Sequence, residues 1–420
     1  MKLYEKKSYL KENDTVITEC RERDGKFWVR LEDTIFFPEE GGQYGDTGTV
    51  TAGSAVKEKE EISVVETVHV ADSQLFDGQV WHRVDRILSA GTKVHCRLDW
   101  DKRFMRMQQH SGEHILTGVI HNHFGYNNVG FHLSDDAPVT LDLNGVLTRE
   151  QIIEMEQAAN DVVYRNIPIV DSYPSREELN SIEYRSKIEI EGQVRLITVG
   201  TGDEVVDVCA CCAPHVSMTG AVGIIKVISA QNYKGGMRLN ILCGRRALEY
   251  IQGEHQTMNR LANTFSTSAD KVLTCVEGKI QEAADARLKL AEYVESDLIR
   301  QINDIPVPAG SRQAEGAEPD DGNEKGAILQ NACIFTASDI TAATMKNCYN
   351  AMTERFSGYV GIFAGNDENG YRFNAGSRTK DSRKLMALMK ETLNARGGGS
   401  AEMVQGSVKA AREAIEKLFL

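Results

Sequence analysis

Two short pairs of metal-grade side chains constrain this chain more than any other feature. His110-Ser-Gly-Glu-His114 places two imidazoles four residues apart. On a helix, positions i and i+4 share a face, so both rings can grip one ion from the same side. About a hundred residues downstream, "VCACCAPH" supplies Cys211-x-x-x-His215. A tetrahedral zinc site takes four such ligands, or three and a water. Three imidazole nitrogens and one thiolate suit zinc better than magnesium or calcium, which want oxygen. Alone, a His-x-x-x-His pair on an amphipathic helix is more often packing; the cysteine-bearing partner pair makes the metal reading the stronger one. Any fold that uses both must bring a helix near residue 110 against the segment near residue 213. Cys209 and Cys212 form an alternative Cys-x-x-Cys, but Cys211 mirrors the histidine spacing. His121, His123 and His132 read as structural or substrate-lining.

The motif also contains His-x-x-Glu-His, the signature of one class of zinc peptidases, with Glu113 as general base. Such an enzyme wants an acidic third ligand and an open coordination position. The Cys/His second pair fits that poorly, and Glu113 reads more readily as a solvated helix residue.

The remaining residues frame this site. A chain of 420 residues is long enough for roughly two to four domains. A net charge of -13 excludes a general nucleic-acid coat but not a local basic groove. The first residues, "MKLYEKKSYLKEND", lack the apolar core of a signal peptide, and no apolar run is long enough for a membrane span. Nine scattered cysteines point to a reducing compartment, the cytoplasm, rather than to a disulfide framework.

Residues 1–90 alternate apolar and polar positions between Gly, Pro and Asp turns, which predicts a small β-barrel. Residues 91–246 predict an α+β domain holding the zinc site. A helix runs through the histidines to Gly125, Thr148-x-x-Gln151 and Ser175-x-x-Glu178 are capping boxes, and "VRLITV", "AVGIIKVISA" and "GMRLNILC" are strands. Residues 247–305 form a helical connector. Leu273, Val276, Ile280, Ala283, Leu290, Val294 and Leu298 recur at helical spacing, as a dimer seam or as a packed linker helix. Residues 306–326 are acidic and rich in Pro and Gly, a linker or mobile loop, and they open a C-terminal α/β domain spanning 306–420.

Positive charge is uneven. Val208 to Arg246 holds five basic residues, Lys226, Lys234, Arg238, Arg245 and Arg246, and no acidic ones. Arg372 to Arg396 holds seven basic and two acidic residues and runs into Gly397-Gly398-Gly399. Glycine runs let backbone N–H groups approach phosphate. Two such patches favour an anionic polymer as substrate.

Together these motifs resemble the editing domain of alanyl-tRNA synthetase, and more closely the free-standing alanyl-tRNA editing proteins called AlaX. The stretch "FFPEEGGQYGDTG" matches that family's glycine-rich motif at Phe37, Pro38, Gly41, Gly42, Gln43, Asp46 and Gly48, and Gly130 to Leu133 match its "GFHL". "GGGSAEMVQG" resembles the last domain of the synthetase and of DHH phosphoesterases, present in the long form of AlaX. Between Cys211 and His215 the chain departs from the synthetase's Cys-Gly-Gly-Thr-His. It also carries no P-loop, Asp-His-His motif or aminoacylation domain.

The resemblance implies an α+β, ATP-independent, cytoplasmic hydrolase. It removes serine, or glycine, from mischarged alanine tRNA at a zinc site, with His110, His114, Cys211 and His215 as ligands. Zinc would either activate water or orient the substrate's end. Gln43, Glu113 and Asn128 are the catalytic candidates; Asn127, Asn128 or the Gly-Gly-Gln stretch would meet the serine hydroxyl. Gly41, Gly42, Lys234, Arg238, Arg245, Arg246 and Gly397 to Gly399 are the RNA-binding candidates. A homodimer through the helical and C-terminal segments is expected, with no membrane or DNA partner. A zinc metallopeptidase, or a non-catalytic tRNA-binding module with structural zinc, are the competing readings.

Overall fold

The structure, a computed structural model, describes residues 2–53, 66–186, 192–306, 330–337 and 339–419. The stretch read as a linker, 306–326, lies beyond Pro306 outside the described residues. The chain divides into two compact units, Met1–Arg260 and Leu261–Leu420.

In the first unit a helical turn, α1 (Leu3–Lys6), precedes six strands: β1 (Glu12–Arg23), β2 (Lys26–Leu31), β3 (Gly48–Ala52), β4 (Glu66–Phe76), β5 (Gln79–Val84) and β6 (Lys93–Leu98). They close into a barrel in the order β1-β2-β5-β4-β3-β6, with every pair antiparallel. Asp24-Gly25 and Asp77-Gly78 sit at the two hairpin tips with positive φ at both residues, as a two-residue turn of matching twist requires. β6 alternates exposed and buried residues strictly, so Val94, Cys96 and Leu98 enter the core with Ile17, Val29, Val50 and Val68. The ring needs β6 to close, so the barrel runs to Leu98 rather than ending near residue 90.

α2 (Trp100–Phe124) follows at once, 25 residues or about 37 Å long, and stops at Gly125 in the left-handed region. It is buried almost continuously from Arg106 to Ile120. Around it lie β7 (Asn128–His132), β8 (Val139–Leu143), α3 (Arg149–Arg165), β9 (Ile169–Ser172), α4 (Arg176–Leu179), β10 (Leu196–Val199), β11 (Asp207–Ala210), β12 (Ile225–Tyr233) and β13 (Gly236–Cys243), followed by α5 (Gly244–Thr264). The strands form a four-stranded sheet, β12-β13-β8-β7, and a three-stranded one, β11-β10-β9. Both capping boxes are present, with Thr148 and Ser175 accepting from Gln151 and Glu178 and the reciprocal bonds in place.

The barrel is joined to α2 by a buried ion pair. Arg103 Nε donates to Asp46 Oδ2 at 2.9 Å, and its other nitrogens reach Asp46, Ile35 O and Ser8 O. Asp46 Oδ2 also accepts from Phe37 N. One turn on, Arg106 donates to Gly45 O at 2.8 Å and pairs with Asp135.

The second unit contains α6 (Val272–Asp304), β14 (Ala332–Thr336), α7 (Ala342–Arg355), β15 (Val360–Asn366), β16 (Gly370–Gly376), α8 (Ser382–Leu393), β17 (Arg396–Gly399), β18 (Met403–Val408) and α9 (Arg412–Glu416). Its sheet has the order β14-β15-β16-β18-β17; β14 and β15 are parallel and the other pairs antiparallel. One face packs on α7 and the end of α6, the other on α8 and Phe419. The helical connector is a pair of helices, broken by Ser266 at φ 50 and a 3-10 turn at Ala269–Lys271. Leu298 is buried, whereas Leu273, Ile280 and Leu290 are 69%, 66% and 63% exposed.

Two stability predictions follow from the first unit. Arg103→Met leaves the Asp46 carboxylate buried without its partner, and urea unfolding should show a loss of about 3–5 kcal/mol. His82, fully buried between Ser73 Oγ and Thr34 Oγ1, is pushed down to about 3 by burial. Below about pH 6.5 the unfolded chain takes up a proton at His82 that the folded barrel refuses until about pH 3. Stability should therefore fall as pH drops through that window, by about 5 kcal/mol at its full extent. In His82→Gln the acid-side loss should be shallower, measured by unfolding at a series of pH values.

Candidate metal centre

α2 presents His110 and His114 one turn apart, both buried, with ring centroids 5.6 Å apart. Opposite them, the turn leaving β11 delivers Cys211 and His215. Cys211 Sγ lies 3.5 Å from His110 Nε2 and 3.3 Å from His215 Nε2. The four donor atoms all lie within 4.8 Å of one another, a group able to hold a metal ion. Arg195 holds that turn, donating to Cys211 O and Ala213 O and accepting Cys211 N on its own carbonyl.

Each imidazole is oriented from behind. His110 Nδ1 is 2.9 Å from Gln43 Oε1, His114 Nδ1 is 3.0 Å from Asp207 Oδ2, and His215 Nδ1 is 3.0 Å from Ser111 Oγ. With every Nδ1 engaged, the Nε2 atoms remain for the thiolate side, the arrangement that prepares histidines for a metal.

The electrostatics agree at Cys211 and His215, whereas His114 would have to give up a proton to serve as a ligand. Burial pushes the Cys211 thiol up, but His110 and His215 outweigh it and hold the group well below the usual thiol range. Burial pushes His215 down to about 3, which keeps its ring neutral. Burial would lower His114 too, but Cys209, Asp207 and Cys211 outweigh it and raise it. The same negative surroundings would attract a cation. A thiolate and neutral imidazoles are the ligand forms that zinc needs.

His114, Asp207 and Cys209 also cluster closely. Arg185 Nε lies 2.8 Å from Asp207 Oδ1, a fixed positive charge that opposes a second ion there. Burial holds the Cys209 thiol up at about 11. Cys212 packs instead near Tyr4 and Phe37.

The structure corrects one expectation. Glu113 is not solvated but buried. Its Oε1 accepts from Asn128 Nδ2, with Thr117 Oγ1 at 3.4 Å, and its Oε2 lies 3.9 Å from His114 Nε2. Gln43, Glu113 and Asn128 therefore gather around the centre. Gly41 and Gly42 make the turn that delivers Gln43. Gly42 has φ +81, its carbonyl accepts from Leu133 N, and a Cβ there would sit 2.6 Å from Phe131 O. Glycine is required by both counts.

The basic candidates do not converge on the centre in the same way. Arg238 is bidentate to Asp142 and lies over Tyr233, and Arg246 donates to Ser134 O and Ala137 O. Lys234 occupies the β12–β13 hairpin tip at φ 47, and Arg245 pairs with Glu249 on the surface. In the second unit, Gly397, Gly398 and Gly399 form an exposed strand at the sheet edge rather than a phosphate-cradling turn. Asp207, Arg185, Ser111, Thr117 and Arg195 also support the centre, without a sequence signal that singles them out. Ser111 lies inside the histidine motif and Asp207 two residues before Cys209, but no spacing rule marks either.

Residues 194–239 match the family described as the threonyl and alanyl tRNA synthetase second additional domain. That segment runs from β10 into β13 and includes Cys211 and His215. Among curated proteins the chain is 30% identical over 253 residues to alanyl-tRNA editing protein AlaX-L of Pyrococcus horikoshii, covering 59% of each. It is 28% identical over 312 residues to alanyl-tRNA editing protein Aarsd1 of Bos taurus, covering 70% of this chain and 65% of that one. It is 29% identical over 301 residues to the alanine–tRNA ligase of Thermococcus kodakarensis, 69% of this chain and 31% of the ligase. The chain spans less than two thirds of the length of the first two relatives. It is related to the alanyl-tRNA editing proteins and to the editing domain of alanyl-tRNA synthetase.

Cys211→Ala removes the sulfur from the set. Elemental analysis of the purified variant should show less bound metal than the parent, with the barrel's circular dichroism retained.

Proposed function

We propose that the chain is a trans-editing hydrolase that cleaves the ester joining serine, and secondarily glycine, to alanine tRNA. The observation that carries this reading is the buried three-histidine, one-cysteine group, with each imidazole oriented from behind, in a chain related to alanyl-tRNA editing proteins. Zinc is the ion that such a set suits; when bound by all four side chains it would supply a fixed positive charge that orients the substrate's reacting end.

The chain's own residues divide the remaining tasks. Gln43 is fully buried, its Oε1 is held by His110, and its Nε2 has no hydrogen-bond partner among the described residues. A buried donor left unmade costs about 1–3 kcal/mol, so a substrate acceptor is the natural partner. That donor meets the serine hydroxyl, which alanine lacks. A site built to bond a hydroxyl can reject the analogue without it, whereas an activation pocket cannot strongly reject an added one. Asn128 positions Glu113: its Nδ2 bonds Glu113 and its Oδ1 accepts from Gly130 N. Glu113, aimed past His114, takes the proton of the attacking water.

Lys234 and Arg245, on the surface, meet tRNA phosphates, as do the open backbone at Gly41 and Gly42 and the edge strand at Gly397 to Gly399. Arg238 and Arg246 act through the shape of the loops they brace. A second copy of the chain covers Leu273, Ile280 and Leu290 on α6. Among the described residues no helix is long and apolar enough to cross a membrane. The protein acts in the cytoplasm, on RNA rather than DNA.

The buried Glu113 beside His114 is also what a metallopeptidase would use, so the test compares substrates. Purified protein should release serine fast from Ser-tRNA(Ala), glycine more slowly, and spare Ala-tRNA(Ala). Glu113→Gln should slow release about 10²–10⁴-fold. Gln43→Leu should erode the preference for serine over alanine more than it lowers metal content. Cleavage of unstructured peptides without deacylation would overturn the proposal in favour of the peptidase.

A further inference from the structure

Of the three groups that orient the imidazoles, Gln43 and Ser111 are neutral; Asp207 alone carries charge. Its two oxygens are divided between partners. Oδ2 faces His114 Nδ1 at 3.0 Å and Oδ1 accepts from Arg185 Nε at 2.8 Å. Arg185 is itself anchored. Its backbone brackets β11, donating to Val208 O and accepting from Ala210 N, and its Nη2 donates to Thr117 Oγ1 at 2.8 Å. Thr117 Oγ1 in turn donates to Glu113 O within α2. The guanidinium thus ties β11 to the helix one turn beyond the metal-facing histidines.

Gly118 completes the arrangement. It follows His114 by one turn on the same helix face, and a Cβ there would lie 2.7 Å from Asp207 Cβ and 2.7 Å from Val206 O. Its φ is ordinary helix, so the demand is for space and not for backbone freedom. A helix-disfavoured residue, a half-buried arginine and a buried aspartate from three separate segments all serve one contact. Packing alone would be met more cheaply by apolar residues.

We propose that Asp207, locked by Arg185 and admitted by Gly118, is the positioning residue of the metal centre. It fixes the ring of His114 with Nε2 towards the other ligands, and so sets the affinity and ligand geometry of the bound ion. This rests on His110, His114, Cys211 and His215 forming a metal centre. An anionic partner also makes the imidazole a stronger donor than a neutral one would. Arg185 has the complementary task of keeping a second cation out of the group formed by His114, Asp207 and Cys209.

The test reads the metal directly. Zinc dissociation constants are measured by competition with a chromophoric chelator, and absorption bands are recorded after cobalt substitution. The proteins are the full chain, Asp207→Asn, Arg185→Lys and Gly118→Ala. Asp207→Asn should bind zinc about 10–100-fold more weakly and shift the cobalt bands. Arg185→Lys, which loses the guanidinium's fixed geometry, should move both readouts in the same direction by less. A purely structural aspartate would lower the melting temperature of the metal-free protein and leave both readouts alone. A folded Asp207→Asn with a zinc constant within about threefold of the parent and unchanged bands overturns the proposal. If Asp207→Asn does not fold, Arg185→Lys decides on the same criteria. A parent chain that binds neither zinc nor cobalt overturns the metal centre itself, an outcome distinct from tight binding that the variants do not disturb.

Discussion

The buried pair of Arg103 and Asp46 is the contact on which the site depends. Asp46 ends the loop that leaves β2, and that loop carries Gly41, Gly42 and Gln43 on its way to β3. Arg103 holds its end, and Arg106 holds Gly45 O one turn later. The next turn of the same helix bears His110, whose Nδ1 meets Gln43 Oε1. Barrel, glycine-rich loop and metal-facing helix are thus set in register by two guanidinium groups. A buried pair of this kind gives little net stability over an apolar replacement, but breaking it is costly. Its value is in orientation: it leaves the loop a single way to lie on the helix.

α2 is unusual in what it buries. From Arg103 to Thr117 it takes two arginines, two glutamines, two histidines, a serine, a glutamate and a threonine out of water. Such a helix is stable when each group finds its partner. Gln109 exchanges two bonds with the backbone of Cys243, and Gln108 donates to Ala221 O. Ser111 meets His215, and Glu113 meets Asn128. Against that background Gln43 Nε2 is informative, because it is a buried donor beside His110 with no hydrogen-bond partner among the described residues.

The second unit obeys different physics. Its core is apolar on both sheet faces, with a few small polar side chains such as Ser377, Ser382 and Asn374 buried beside it. The glycine run that reads as a phosphate loop is the last strand of the sheet, where small side chains leave the outer backbone open. α6 is half committed: its C-terminal end is core, while Leu273, Ile280 and Leu290 are open to solvent.

Local chemistry made much of this legible in one dimension. The four-residue spacing in His110-x-x-x-His114 and Cys211-x-x-x-His215 marks four side chains that the fold brings together, because one helical turn and one tight turn have fixed reach. Thr148 with Gln151 and Ser175 with Glu178 announce their helices because a capping box closes within four residues. Asp-Gly announces the hairpins because few residues accept positive φ. What no local rule reveals is which distant groups meet. Asp207, Arg185 and Ser111 matter because they stand behind ligands supplied by other segments. Glu113 looks like a surface residue until the sheets and α3 close over α2. Arg238 looks available to RNA until Asp142 comes across the β8–β13 pairing. Spacing along a helix or turn is set by bond geometry, so it is written in the chain; burial and the choice of partner are set by long-range packing, so they exist only once the chain has folded.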